Sequence, residues 1–140
     1  YEDRLQGGRL IGEVCHFVDT AATIIGAAAT SVSAARGFSL DDSDVAVSFA
    51  YPDGSLASVT YASAGDSRTS KERIEVLGRG RTAVIDDFQA IELSGERRVV
   101  RGKGHEEAVQ AFQQLIRSRS SDTEWAVSSM RTTLTAAAAS

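Results

Sequence analysis

The chain has 140 residues, 42% of them apolar and 24% charged, with a net charge of −4. That length and balance fit one globular domain with a core of its own, and the excess of acids argues against a nucleic-acid binder. The single cysteine, Cys15, excludes an internal disulfide and suits a reducing compartment such as the cytoplasm. No apolar run reaches the roughly 18 to 20 residues of a membrane span, so no membrane partner is expected.

The opening YEDRLQGGRL is charged where a secretory signal would be apolar. The chain starts without Met and is expected to be a domain of something longer. After Gly7 and Gly8 a helix is predicted over about 10–27. Leu10, Val14, Phe17, Val18, Ala21 and Ile25 form its apolar stripe. Glu13, His16, Thr20 and Thr23 fall opposite, with Gly12 and Asp19 beside them.

Strands follow. ATSVSAAR is the first. SDVAVSFAY alternates strictly, with Val45, Val47, Phe49 and Tyr51 on one face and Ala46, Ser48 and Ala50 on the other. The turn PDGS, with Pro52 and Gly54, returns the chain into LASVTYAS as an antiparallel hairpin. AGDSRTS is a polar loop. ERIEVLG and RTAVIDDF pair around GRGR, and AIELSGERRVVR is a smaller hairpin around Ser94 and Gly95.

HEEAVQAFQQLIRS returns to helix, with Ala108, Phe112, Leu115 and Ile116 on a stripe and acids in its first turn. A last helix opens at a Ser121 or Asp122 cap and stripes through Trp125, Ser129 or Met130, and Leu134. Strands segregated from helices predict an α+β fold: an open-faced, mainly antiparallel sheet of about six strands with helices on one face. Residues 46, 48, 50 and 58 would make the open face flat and weakly polar.

The glycines of GRGR and RGKGH fit neither a phosphate loop nor a dinucleotide fingerprint, and read as turns. Cys15 and His16 are adjacent, so their side chains diverge by about 100° on a helix and make a poor nucleophile–base pair. One cysteine with His16 and His105 far apart offers no zinc-ligand spacing. Glu13 and His16, three residues apart, share a helix face, where a carboxylate can orient an imidazole base. The competing reading is a solvated helix face with an incidental histidine.

The stretch GGRLIGEVCHFVD resembles the opening of the C-terminal domain of the glucose–fructose oxidoreductase and inositol dehydrogenase (Gfo/Idh/MocA) family. That pattern is a glycine cluster, an acid, a His four residues later and an Asp three after the His. His16 and Asp19 match the last two. Gly12 stands where the acid is usual, and Glu13 follows it. GDSRTSKERIEVLGRGRTAVIDDF resembles the family's sheet region, and HEEAVQAFQQLIR with the last helix its closing pair. The Gly12–Glu13 variant is similar to a subgroup in which the module follows a zinc-type alcohol dehydrogenase half.

The resemblance implies the fold of this substrate-binding and dimerisation domain, which is related to that of glyceraldehyde-3-phosphate dehydrogenase. NAD or NADP would be bound by a separate Rossmann domain, and the substrate would be a sugar, polyol or sugar nucleotide. It implies a homodimer through the open sheet face, and His16 as proton acceptor with Glu13 tuning it. Arg9, Asp19 and, in the 65–73 loop, Asp66, Lys71 and Arg73 are candidates for contacting substrate; the competing reading of the loop is a solvated charged surface. No metal is expected in the chain. The alternative is a non-catalytic module for dimerisation or sugar recognition. A stand-alone hydrolase built on Cys15 and His16 is disfavoured by the divergence of the two side chains.

Overall fold

The structure is a computed structural model that describes residues 8–37, 44–100, 104–121 and 123–139. It divides into two compact units, residues 1–64 with 121–140, and residues 65–120.

In the first unit a π-helical turn, Leu10–Val14, runs directly into helix α1, Cys15–Ile25. Gly26 ends α1 in the left-handed conformation, and its N–H donates to Ala22 O at 2.7 Å. The buried positions are Leu10, Val14, Val18 and Ala22, spaced by four. On a regular α-helix that spacing drifts about 40° per step. The wider π turn takes up part of the drift and keeps the four on one side. This is why Ala22 is buried while Ala21, expected in the stripe, is only half-buried, as are Phe17 and Ile25.

Strands β1 (Ser31–Arg36), β2 (Val45–Ala50) and β3 (Leu56–Tyr61) form an antiparallel sheet in that order. The register aligns Val32, Phe49 and Ala57, then Ala34, Val47 and Val59, then Arg36, Val45 and Tyr61. The inner face is therefore almost entirely apolar. The outer rows are Ser31, Ala50 and Leu56, then Ser33, Ser48 and Ser58, then Ala35, Ala46 and Thr60, all exposed except the half-buried Ala50. Small residues gather on this face, as the alternation predicted, but Leu56 projects from its end. At the β2–β3 turn Gly54 takes positive φ and donates to Tyr51 O. Asp53 accepts from both the backbone and the hydroxyl of Ser55, which holds its carboxyl below the usual carboxylate range.

Helix α3, Thr123–Ala139, packs with α1 and the π turn over the inner face, and Ala136 joins Leu10, Val14, Val18, Val45, Val47, Phe49 and Tyr51 in the core. Its inner side is made of short residues. Thr133 and Ala136 are fully buried, and Thr133 Oγ1 donates back to Ser129 O at 3.0 Å. Met130 and Leu134, expected on the stripe, are exposed. Close approach to neighbouring elements favours short side chains, which an apolar stripe does not register. Of the two expected caps, Asp122 lies outside the described residues, and Ser121 Oγ accepts from Thr123 Oγ1.

The second unit is a meander of β4 (Arg73–Gly78), β5 (Arg81–Asp86), β6 (Ala90–Leu93) and β7 (Glu96–Val99), antiparallel in chain order. Arg79 and Gly80, and Ser94 and Gly95, take positive φ in two-residue turns that suit the strand twist. A third turn, which the sequence reading absorbed into a strand, sets Asp87 and Phe88 at positive φ. One face aligns Ile74, Ile85 and Ile91, and then Val76, Ala83 and Leu93. The other carries Arg73, Glu75, Asp86, Glu92 and Arg97. Helix α2, His105–Ser118, completes the unit.

The antiparallel α+β fold is as expected, with the described strands numbering seven in two ladders rather than about six in one. The polar run 62–72 separates the two ladders in sequence. The stripe predicted on α2 exists, but none of its residues is buried, and Phe112 is 63% exposed. No described helix is long and apolar enough to cross a membrane.

Candidate functional site

His16 lies in the first turn of α1 and is exposed. Its carbonyl accepts from Thr20 Oγ1 at 2.7 Å, a bond inside the helix that leaves the ring uninvolved. Glu13 belongs to the π turn and approaches Arg9, Nη1 to Oε1 at 4.0 Å. Arg9 Nη1 also donates to the Tyr61 hydroxyl at 3.1 Å, with its guanidinium 6.0 Å from the Tyr61 ring centroid. Arg9, Glu13 and Tyr61 thus form one polar cluster at the start of the helix, a turn before His16.

Asp19 is half-buried. Its Oδ1 accepts from Trp125 Nε1 at 3.1 Å and from Ser129 Oγ at 2.7 Å, so this oxygen is committed to α3. Cys15 is half-buried, and burial, with the Glu13 and Asp19 carboxylates nearby, pushes its thiol above the ordinary value. A raised pKa is the opposite of what a thiolate nucleophile needs.

Asp66, Lys71 and Arg73 belong to the second unit. Asp66 binds Arg68 through the backbone N–H and the guanidinium, at 2.6 Å from Nη2. That fork holds its carboxyl below the usual range. Arg73 lies 4.0 Å from Glu75, and Lys71 is exposed. Among the described residues no group of three His, Cys, Asp or Glu side chains is placed to hold a metal ion.

Sequence reasoning missed Tyr61, Trp125 and Ser129. Trp125 carried a usable signal, because a half-buried indole N–H requires an acceptor. For Tyr61 the signal was its place on the inward alternation of β3, in register with Val45.

The chain matches no family model and no curated protein. Its fold is similar to that of solved oxidoreductases. UDP-N-acetylglucosamine 3-dehydrogenase GnnA from Acidithiobacillus ferrooxidans aligns with a TM-score of 0.73 at 15% identity, over 89% of this chain and 44% of that one. A second crystal form of the same enzyme gives 0.65 at 13%, over 89% and 46%. An oxidoreductase from Thermotoga maritima gives 0.60 at 17%, over 85% and 37%. The chain spans less than half the length of each, and at these identities what is shared is an α+β fold.

Proposed function

We propose that this chain is the substrate-side and dimerisation domain of a Gfo/Idh/MocA-type oxidoreductase acting on a hydroxyl of a sugar, polyol or sugar nucleotide. The observation that carries the reading is the exposed His16 on α1, one turn from the Arg9–Glu13–Tyr61 cluster. The fold similarity to a sugar-nucleotide dehydrogenase supports it. The comparisons say nothing about a zinc-type alcohol dehydrogenase half.

The described residues do not fit a dinucleotide. Every strand pairing among them is antiparallel, and no strand passes through a glycine-rich turn into a helix and on to a parallel strand. The NAD or NADP that this reading calls for therefore belongs to a separate domain, and the step assigned here is a proton transfer. A ring nitrogen of His16 accepts the proton of the substrate hydroxyl, and the hydride lost from the hydroxyl carbon would go to the nicotinamide held by that other domain. Glu13, in the turn before His16, is assigned the role of orienting the ring. Arg9 and Tyr61 supply donors for neighbouring substrate oxygens. Asp66, Lys71 and Arg73, in the second unit, are kept as candidates for polar contacts to a substrate.

The test is His16→Ala in the complete two-domain protein. A positioned general base is worth about 10²- to 10⁴-fold, so kcat should fall on that scale. Stability should change by less than about 1 kcal/mol, as is usual for an exposed side chain. Glu13→Gln should cost less. Near-wild-type turnover of His16→Ala would hand the chain to the second reading, a non-catalytic dimerisation or sugar-recognition module. Gly12 at the place of the family's acid favours that reading.

Dimerisation is assigned to the outer face that carries Ser33, Ala35, Ala46, Ser48, Ala50 and Ser58, whose small side chains let another sheet approach closely. Light scattering that reports only monomer at high concentration would remove this part of the reading.

A further inference from the structure

We infer that Asp19 is a positioning residue that locks the rotation of α1 against α3 and so sets the direction in which His16 faces; the inference rests on the catalytic reading of His16. The contact between the two helices is otherwise poor at fixing rotation. The buried residues of α3 are Thr133 and Ala136, and those of α1 are Val18 and Ala22. Short side chains leave shallow ridges, which allow one helix to roll on another at little cost.

Hydrogen bonds to a carboxylate are directional and stronger than neutral ones. Here two donors, Trp125 Nε1 and Ser129 Oγ, converge on one oxygen, Asp19 Oδ1. The donors are four residues apart on α3, so they bracket the acceptor along the axis as well as around it. Asp19 and His16 are three residues apart on a rigid helix, so a roll that displaces one displaces the other by a similar angle. The π turn before α1 makes the clasp more necessary. Leu10 and Val14 are anchored in the core, but a wide turn is a poor torsional brace for the residues that follow it.

The test uses the complete enzyme with Asp19→Ala, Asp19→Asn, Trp125→Phe and Ser129→Ala, each alone and each in a His16→Ala background. Asp19→Ala should lower kcat by about 10- to 100-fold, within the reach of a misplaced catalytic group, with KM changed less than threefold. Asp19→Asn keeps an acceptor oxygen and should restore most of kcat. Trp125→Phe and Ser129→Ala each remove one donor and should give intermediate losses, which keeps the test alive should Asp19→Ala fail to fold. In the His16→Ala background none of the four should lower kcat further. Unchanged kcat in Asp19→Ala, equal loss in Asp19→Ala and Asp19→Asn, or losses that add to that of His16→Ala would each overturn the positioning role. Near-wild-type turnover of His16→Ala itself would overturn the catalytic reading, a result distinct from all of these.

Discussion

Val45, Val47 and Phe49 alternate with outward-facing neighbours on β2, and they and Tyr51, just past its end, are buried in the core with α1 and α3. Ile74 and Val76 alternate as regularly on β4, and with Ile85 and Ile91 beside them they stay half-exposed. Both units have strands, tight turns and a helix with an apolar stripe. In the first, helices bury side chains against the sheet, whereas α2 of the second has no buried residue among those described. In the second, Ala90 is the one buried apolar residue among those described. Alternation decides which side chains share a face; burial is decided by whether another element covers that face, and the stability each residue contributes follows the burial.

A graded series of truncations tests this contrast. Phe49→Ala removes a side chain 2% exposed at the centre of the first unit and should cost about 3–5 kcal/mol by denaturant unfolding. Ile85→Ala, on a half-covered face, should cost less than half as much, below about 2 kcal/mol. Phe112→Ala, on α2, should stay within about 0.5 kcal/mol. Equal costs for Phe49→Ala and Ile85→Ala would mean that the second sheet is covered in solution, and the contrast would collapse. A large cost for Phe112→Ala would say the same of α2.

The smallest effect sharpens the contrast inside the first unit, between its wet and dry helix faces. Burial raises the Cys15 pKa, so at a given pH the folded chain holds less thiolate than the unfolded one. The inflection of the alkylation rate against pH should therefore lie higher in the folded protein than in urea. The sign for stability follows: as pH climbs through the unfolded thiol's pKa, the unfolded chain loses its proton first, and the folded state loses stability there. An inflection lower in the folded protein would reverse the argument and reopen a nucleophilic role for Cys15.

Much of this was legible from pattern. The strict alternation of SDVAVSFAY and the turn PDGS give β2, its buried face and its partner β3 without ambiguity. The glycine-bearing turns of the meander were equally plain. The Asp87–Phe88 turn was hidden because it holds no glycine and a bulky Phe rarely takes positive φ. The inner side of α3 was hidden because serine, threonine and alanine give no hydrophobic period. The site was half legible. Spacing put Glu13 and His16 on one face by assuming 3.6 residues per turn throughout. The π turn breaks that assumption at Leu10–Val14, where Glu13 approaches Arg9. Asp19 was singled out, but its partners lie more than 100 residues away in sequence, on α3, beyond the reach of any local spacing rule.

The last strand of the meander bears on aggregation. An edge strand offers a row of unpaired backbone groups to any other extended chain, and charge along it is a recurrent defence against such templating. In β7 three of four residues are charged, Glu96, Arg97 and Arg98, and all four are exposed. A strand added there would have to place its own side chains against both signs of charge. The edge strand β3, LASVTY, carries no charge at all. The meander is thus guarded at its open end against growing into a longer sheet, while the first sheet depends on the helices packed over it and on the small residues outside it.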